Sequence, residues 1–263
     1  MAHHSTKVTV SAVSYLNSVP LIWGMLHGEQ REQVDLRFSI PSVCAQEVEQ
    51  GEVQIGLVPV AEVARQQLEI VPGVGITCRG AVRSILLVSR LPFSKIGKLA
   101  VDLSSRTSVQ LARVILRERF GVEPELTPAH PDLEQMLAHS DAALLIGDPA
   151  LRLLPEELPY ECLDLGAEWL TLTGLPMVFA AWAGKPGLPL NLLNDITLGS
   201  YEFGKAGLEE IVNAEYTRRG VTKALADRYL RHYIRFELGA EELRGLRAFY
   251  ELARLQHPVL AAI

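Results

Sequence analysis

The sequence predicts a two-lobed α/β fold with helices gathered at its C-terminal end, and three observations carry that prediction. Short β-branched runs alternate with helical segments through the first hundred residues. A second block with its own strands and helices begins after Pro92, and from Leu188 onward the pattern turns helical. Alternation of this kind builds βαβ units and a mostly parallel sheet.

Taken in order, residues 7–12 read as a buried strand. Residues 18–26 read as a short helix whose first turn tolerates Pro20. Residues 34–40 alternate, with Val34, Leu36, Phe38 and Ile40 on one face of a strand. Residues 42–50 form a helix that starts behind Pro41 and stops at Gly51. A second buried strand spans 54–60, and a helix follows over 60–67. Residues 75–79 and 83–89 read as strands joined by a tight connection at Gly80.

The second block then reads strand 98–102, helix 107–120, strand 125–128, helix 132–139 and strand 142–146. In its long helix Val109, Ala112, Leu116 and Phe120 share one face, and Gly121 ends it. Residues 175–183 are a β-rich run that carries the chain back to the first lobe. In the helical tail Leu225, Tyr229, Tyr233 and Phe236 make one apolar stripe, and 241–255 reads as a final helix. The expected lobes are therefore residues 1–92 with 184–263, and residues 93–183, with crossovers near 90–96 and 176–186. Ligands in such folds bind at the carboxyl ends of strands and between lobes.

Composition narrows the function classes. With 263 residues, 48% hydrophobic and 21% charged, the chain has apolar side chains for more than one small core. A net charge of −6, with basic residues widely spread, argues against nucleic-acid binding. A small anionic ligand stays compatible, because a pocket can be locally positive on an acidic protein. Cys44, Cys78 and Cys162 are sparse and odd in number, as expected of a reducing compartment, of buried small side chains, and of no zinc site. The N-terminus lacks a secretory leader pattern, and apolar stretches such as 174–184 are too short to span a bilayer. A cytoplasmic protein is expected.

Three loops that follow predicted strands can carry chemistry. In Ser14-Tyr15-Leu16-Asn17-Ser18-Val19-Pro20-Leu21, Asn17 is either a helix cap or an amide presented at the mouth of the sheet. In Asp102-Leu103-Ser104-Ser105-Arg106-Thr107-Ser108, hydroxyls and free N–H groups at a helix start make an anion site. Arg106 can add bidentate recognition of a carboxylate there, and a plain helix cap with an exposed Arg106 is the competing reading. In Ile146-Gly147-Asp148-Pro149-Ala150, Asp148 is a helix cap, a hinge contact or a base. Arg83 and Ser84 open the strand after Gly80, and a solvated position competes with one facing the cleft.

Other candidates fall away. His130, His139, His232 and His257 have no partner at a telling spacing. Gly73-Val74-Gly75 lacks the rest of a dinucleotide fingerprint, and no GxSxG elbow occurs. The aromatic stretch from Trp169 to Trp182 is either a pocket wall or a core strand.

These segments together resemble the chorismate dehydratases of the futalosine route to menaquinone. The resemblance rests on residues 13–21, on Ser104-Ser105-Arg106-Thr107-Ser108, and on Ile146-Gly147-Asp148-Pro149-Ala150. It also rests on Trp169 with Gly174-Leu175-Pro176-Met177-Val178-Phe179-Ala180-Ala181-Trp182, all in order along nearly the whole chain. It implies a type 2 periplasmic-binding-protein fold used as a cytoplasmic enzyme. The implied reaction removes water from chorismate to give 3-[(1-carboxyvinyl)oxy]benzoate, without a metal or organic cofactor. By the same resemblance Asn17 and Ser84 are the catalytic residues in the cleft, and the helix start at Ser105, Arg106, Thr107 and Ser108 holds a substrate carboxylate. Asp148 would be a pocket or hinge residue. Two carboxylates on the substrate call for focused positive potential, which the Thr107 and Ser108 amides with Arg106 or Arg83 can supply. A sister family, the 1,4-dihydroxy-6-naphthoate synthases, carries a Cys-Pro-Asn-Asp-type first loop where this chain has Tyr15-Leu16-Asn17-Ser18. A non-catalytic binding protein for a small carboxylate would have the same fold.

Neither an amide nor an unassisted hydroxyl is a base near neutral pH, and the matching loops hold no His or Lys. The substrate's own enolpyruvyl carboxylate is therefore expected to take the proton, with Asn17 and Ser84 fixing its pose.

Overall fold

The computed structural model describes residues 7–102 and 105–256. The chain opens with β1 (Val8–Val13), a 3-10 turn at Leu16–Ser18, α1 (Val19–His27), β2 (Val34–Ser39) and α2 (Pro41–Gln50). It continues with β3 (Ile55–Pro59), α3 (Val60–Gln66) and β4 (Glu69–Cys78). It then crosses to β5 (Ile85–Ser89), β6 (Lys98–Val101), α4 (Arg106–Phe120), β7 (Glu125–Pro128) and α5 (Leu133–His139). Next come β8 (Ala142–Ile146), α6 (Gly147–Leu151), β9 (Glu161–Asp164) and α7 (Leu165–Thr173). The return strand β10 (Met177–Gly184) leads to α8 (Leu190–Ala206), α9 (Leu208–Arg219) and α10 (Lys223–Arg228). A π-helical turn at Tyr229–Tyr233, β11 (Arg235–Leu238) and α11 (Ala240–Leu252) complete the chain.

Two sheets result. The first has the order β11-β4-β10-β3-β1-β2 and the second β7-β6-β8-β5-β9. Each has a parallel part, β2-β1-β3 in one and β7-β6-β8 in the other. Each also has an antiparallel part, because β10 runs against β3 and β4, and β5 runs against β8 and β9. Mixed sheets replace the mostly parallel one expected. The strands that enter after crossing between lobes, β5 and β10, run against their neighbours, as does the edge strand β11 against β4.

Sheet membership also moves the lobe boundaries. The strand at Ile85–Ser89 belongs to the second sheet and the strand at Met177–Gly184 to the first, so the chain crosses at residues 79–84 and 174–176. The expected boundaries after 92 and 183 put both strands in the wrong lobe. Each is almost wholly buried, and an apolar run buried on both faces fits either sheet equally well by sequence. For the same reason the tight connection expected at Gly80 is instead a crossing between sheets.

Two further expectations change. Residues 165–173 of the aromatic stretch are a helix, capped where Asp164 accepts the N–H groups of Gly166 and Ala167 at 3.0 and 3.1 Å. The tail is not all helical, because Arg235–Leu238 adds an edge strand to the first sheet. The apolar stripe expected along one helix is therefore divided: Tyr229 and Tyr233 lie on the π-helical turn and Phe236 on a strand.

The apolar core runs from the first sheet through the crossings into the second lobe, with Trp169 and Trp182 fully enclosed. In the tail, α8 lies against α1 so closely that a Cβ on Gly204 would come within 2.1 Å of the Pro20 carbonyl oxygen. Ser200 donates to the Leu21 carbonyl at 2.8 Å and accepts the Met25 N–H at 3.0 Å in the same contact. Cys44 and Cys78 are buried as expected, whereas Cys162 is partly exposed. Among the described residues no helix is long and apolar enough to cross a membrane.

Candidate functional site

Between the two sheets lies a cavity enclosing about 550 Å³ of empty space, its mouth included. It sits where the strand ends of both lobes face one another, and its walls include Leu57, Ile76, Ile146 and Phe179. Asn17, Ser84, Ser105 and Ser108 put polar side chains into this otherwise apolar space. They come from three separated segments: the turn after β1, the residue before β5, and the start of α4, which supplies both Ser105 and Ser108. Among the described residues that line it, Tyr15 is the only titratable one.

The turn after β1 shows why Asn17 faces the cavity. The α1 N-cap position is Ser18, whose backbone is already helical at φ −87° and ψ −22°, and no side chain caps the helix. The Leu16–Ser18 turn feeds directly into α1. Asn17 is thus released from capping, and its Oδ1 accepts from the Ser18 hydroxyl at 3.4 Å.

At the other wall, Ser105 precedes α4 and its Oγ donates to Ser108 Oγ at 2.9 Å. The first N–H groups of a helix have no acceptor inside it, and the helix dipole adds partial positive charge at that end. The 15-residue α4 begins at the cavity wall, so its free N–H groups and partial positive charge lie beside that apolar space. Leu103 and Ser104, part of the same sequence motif, lie outside the described residues, as does His257.

The remaining predicted residues lie elsewhere, and most of them join the lobes. Thr107 is buried and its Oγ1 accepts the Ala61 N–H at the start of α3, 3.1 Å away. Arg106 reaches back to buried Glu62 at 3.0 Å, which Arg65 also holds at 2.8 Å. Its guanidinium is therefore committed to an ion pair between lobes rather than to the cavity. Asp148 is buried and caps nothing in its own helix. Its Oδ1 accepts the Leu16 N–H at 3.1 Å, and its Oδ2 is paired with Arg219 at 3.0 Å. Arg219 in turn is held by Glu215 at 2.7 Å and donates to the Ser14 carbonyl at 2.6 Å.

Arg83 stands apart from both groups. Its N–H is taken by Asp164 at 2.6 Å, and its guanidinium donates to the carbonyls of Ala150, at 3.2 Å, and Leu153. These are the carbonyls at the C-terminal end of α6, where a cation is favourable. The positive charge expected in the cavity from Arg83 and Arg106 is thus directed into the scaffold.

Two features escaped the sequence reading. The Tyr229 phenol, fully buried, hydrogen-bonds Ser84 Oγ at 2.8 Å and meets the Asn17 side chain as well. Burial pushes this phenol well above the usual tyrosine range, and its hydrogen bonds to Ser84 and Asn17 act the other way without offsetting burial. Gly147, at φ +62°, lets the Tyr15 ring lie against the backbone of the opposite lobe, since a Cβ there would be 3.1 Å from three ring atoms. Tyr229 gives no sequence signal, because an aromatic in a helical tail reads as core. Tyr15 and Gly147 both stand in the loops singled out from sequence.

Among the described residues no group of three or more His, Cys, Asp or Glu is placed to hold a metal ion. His130 is exposed and does not line the cavity, and His139 and His232 are also on the surface.

Comparison with known proteins gives a consistent picture. Residues 8–255 match the model of a menaquinone biosynthesis family. The chain is similar to the chorismate dehydratase of Thermus thermophilus, with 30% identity over 255 residues, covering 90% of this chain and 92% of the relative. Among solved structures, a protein of Archaeoglobus fulgidus superimposes with a TM-score of 0.74 at 17% identity, covering 96% of this chain and 98% of that one. The periplasmic aliphatic sulphonate binding protein of Escherichia coli gives 0.62 at 15% identity, covering 98% and 94%. A Candida albicans protein described as having the generic periplasmic-binding-protein fold gives 0.58 at 11% identity, covering 98% and 92%. These structures share the fold expected from sequence.

Proposed function

The chain belongs to the menaquinone biosynthesis family, and from that premise we propose that it is a chorismate dehydratase, a hydro-lyase acting in the cavity between its lobes. The observation that carries this reading is the convergence of Asn17, Ser84, Ser105 and Ser108 on one apolar cavity whose described walls hold no acid, histidine or lysine. Such a site orients an anionic substrate and polarises a leaving group without supplying a strong base.

The reaction takes a proton from the ring carbon bearing the enolpyruvyl ether and releases hydroxide from its neighbour. The products are 3-[(1-carboxyvinyl)oxy]benzoate and water, and aromatisation drives the step. One substrate carboxylate rests on the N–H groups and hydroxyls at the start of α4, where the dipole replaces a cation. Asn17 orients the enolpyruvyl arm, whose carboxylate takes the proton, and Ser84 donates to the departing hydroxyl. The nearby carboxylate of Asp148 is occupied by the Leu16 N–H and by Arg219, which argues against its acting as the base.

The test separates binding from turnover in Asn17→Asp and Ser84→Ala. Both variants are expected to lose most of their turnover, Ser84→Ala keeping a measurable residual rate, with chorismate still stabilising Ser84→Ala against heat. Full turnover in either would remove that residue from the chemistry. An Asp148→Asn protein that binds chorismate normally and turns none over would move the base to the enzyme.

A further inference from the structure

The hydroxyl of Ser84 is too weak an acid to assist a leaving group unless its proton is held in the right direction, and the packing behind it does this. Ser84 lines the cavity at the start of β5 and is 1% exposed. Its backbone carbonyl is taken by the Gly147 N–H at 2.8 Å. Behind its side chain lies Tyr229, also 1% exposed, with its hydroxyl 2.8 Å from Ser84 Oγ.

We infer that Tyr229 is a positioning residue for the dehydration: its phenol donates to Ser84 Oγ, so that the Ser84 proton is turned into the cavity toward the departing hydroxyl. The inference rests on the dehydratase reading and deepens it. A serine hydroxyl offers one proton and two acceptor positions. With Tyr229 donating to one of those positions, Ser84 becomes a donor toward the substrate, and a donor that itself accepts a hydrogen bond is the stronger for it.

The neighbours fix the order of the relay. Asn17 Oδ1 accepts from Ser18, which leaves the amide N–H₂ to face the phenol oxygen. The sequence of donors is then Asn17, Tyr229, Ser84 and substrate. It joins the two residues placed on the reacting groups through a third from the C-terminal segment. Tyr229 opens the π-helical turn Tyr229–Tyr233, a widened turn of the kind often found at functional sites. Burial keeps the phenol protonated, as a donor must be. The chemistry of the step is unchanged: the C–O bond breaks, Ser84 Oγ gives its proton to the departing hydroxide, which leaves as water, and the proton that the enolpyruvyl carboxylate took from carbon then returns to Ser84 Oγ.

The experiment is a kinetic cycle on the full chain with chorismate. Tyr229→Phe keeps the ring and removes only the hydroxyl. It is expected to lower kcat at least about tenfold with KM changed less than about threefold, because misdirected groups affect the chemical step more than binding. In a Ser84→Ala background the same change is expected to have no further effect on kcat, since groups acting as one unit are not additive. A Tyr229→Phe protein of wild-type kcat overturns the inference, as does an equal loss in both backgrounds or a loss confined to KM. Should Tyr229→Phe fail to fold, fluorotyrosine at position 229 retains ring and hydroxyl and changes donor strength. A shift in kcat at constant KM supports the relay, and an unchanged kcat overturns it. A wild-type chain inert toward chorismate defeats the functional reading and the relay together, whereas an active wild type with an equally active variant defeats the relay alone.

Discussion

The carboxylate of Asp148 accepts the backbone N–H of Leu16 across 132 residues of sequence, at 3.1 Å, and so fixes the second lobe to the turn that carries Asn17. Arg219, reaching in from α9, pairs with the other oxygen of the same carboxylate. The position of Asn17 over the cavity is therefore set by a buried charge that belongs to the opposite lobe.

Asp148→Asn preserves the size of the side chain and one acceptor for Leu16 but removes half of the pair with Arg219. Breaking a buried pair leaves a charge uncompensated at about 3–5 kcal/mol, and Glu215 offsets part of this. A loss of about 2 kcal/mol is expected in urea unfolding, with a higher KM and a lower kcat as Asn17 drifts. Unchanged stability would show that the pair does not hold the lobes.

Gly147→Ala tests the contact between the lobes at Tyr15. A side chain in the left-handed region costs about 1–2 kcal/mol. At φ +62° its Cβ would also press on three atoms of the Tyr15 ring at 3.1 Å. The ring is expected to move into the cavity, raising KM for chorismate about tenfold, equivalent to about 1.4 kcal/mol of binding. Normal KM in a folded Gly147→Ala protein would place Tyr15 outside the substrate's path.

The arginines and the serines at the α4 start make opposite predictions. With the proposed substrate carboxylate at the α4 start, Ser108→Ala would remove a hydrogen bond to a charged group, worth about 1.5–3 kcal/mol, and should raise KM by more than about tenfold. Arg106→Gln should leave kcat/KM within about threefold of wild type, because its guanidinium serves Glu62 rather than the cavity. Steady-state kinetics on the two variants decides between them, and a collapse of kcat/KM in Arg106→Gln would return that residue to the substrate.

Alkaline pH reads out the buried thiol of Cys44. Burial pushes it up to about 12, with hydrogen bonding acting the other way. An unfolded thiol titrates near about 8.5, so above that pH the unfolded chain ionises while the folded thiol stays protonated. The stability this gives is complete below the unfolded value and falls by about 1.4 kcal/mol per pH unit above it. Cys44→Ala should flatten the decline of urea stability above about pH 9, and identical slopes would contradict the assignment.

Much of this was legible in the sequence, and the limits have physical causes. The loops at Asn17, Ser105 and Asp148 follow strands and carry polar side chains that a bare turn does not need, so they stood out. The destinations of Arg83 and Arg106 did not. Whether a guanidinium meets a ligand or the scaffold depends on a carboxylate or carbonyl distant in the chain, here Glu62, Ala150 and Leu153. The strand at Ile85–Ser89 was visible as a strand, but its lobe was not, because a fully buried apolar run has no polar face to show which sheet it joins. Tyr229 was hidden for a related reason: its ring reads as core, and only the fold brings its hydroxyl to Ser84.

The most direct test of the central claim is to incubate the purified chain with chorismate and follow the products by chromatography and mass. Loss of one water and accumulation of 3-[(1-carboxyvinyl)oxy]benzoate are expected with no added metal or nucleotide. Unchanged chorismate beside a protein that it stabilises against heat would contradict that claim and make this chain a binding protein on an enzyme family's fold.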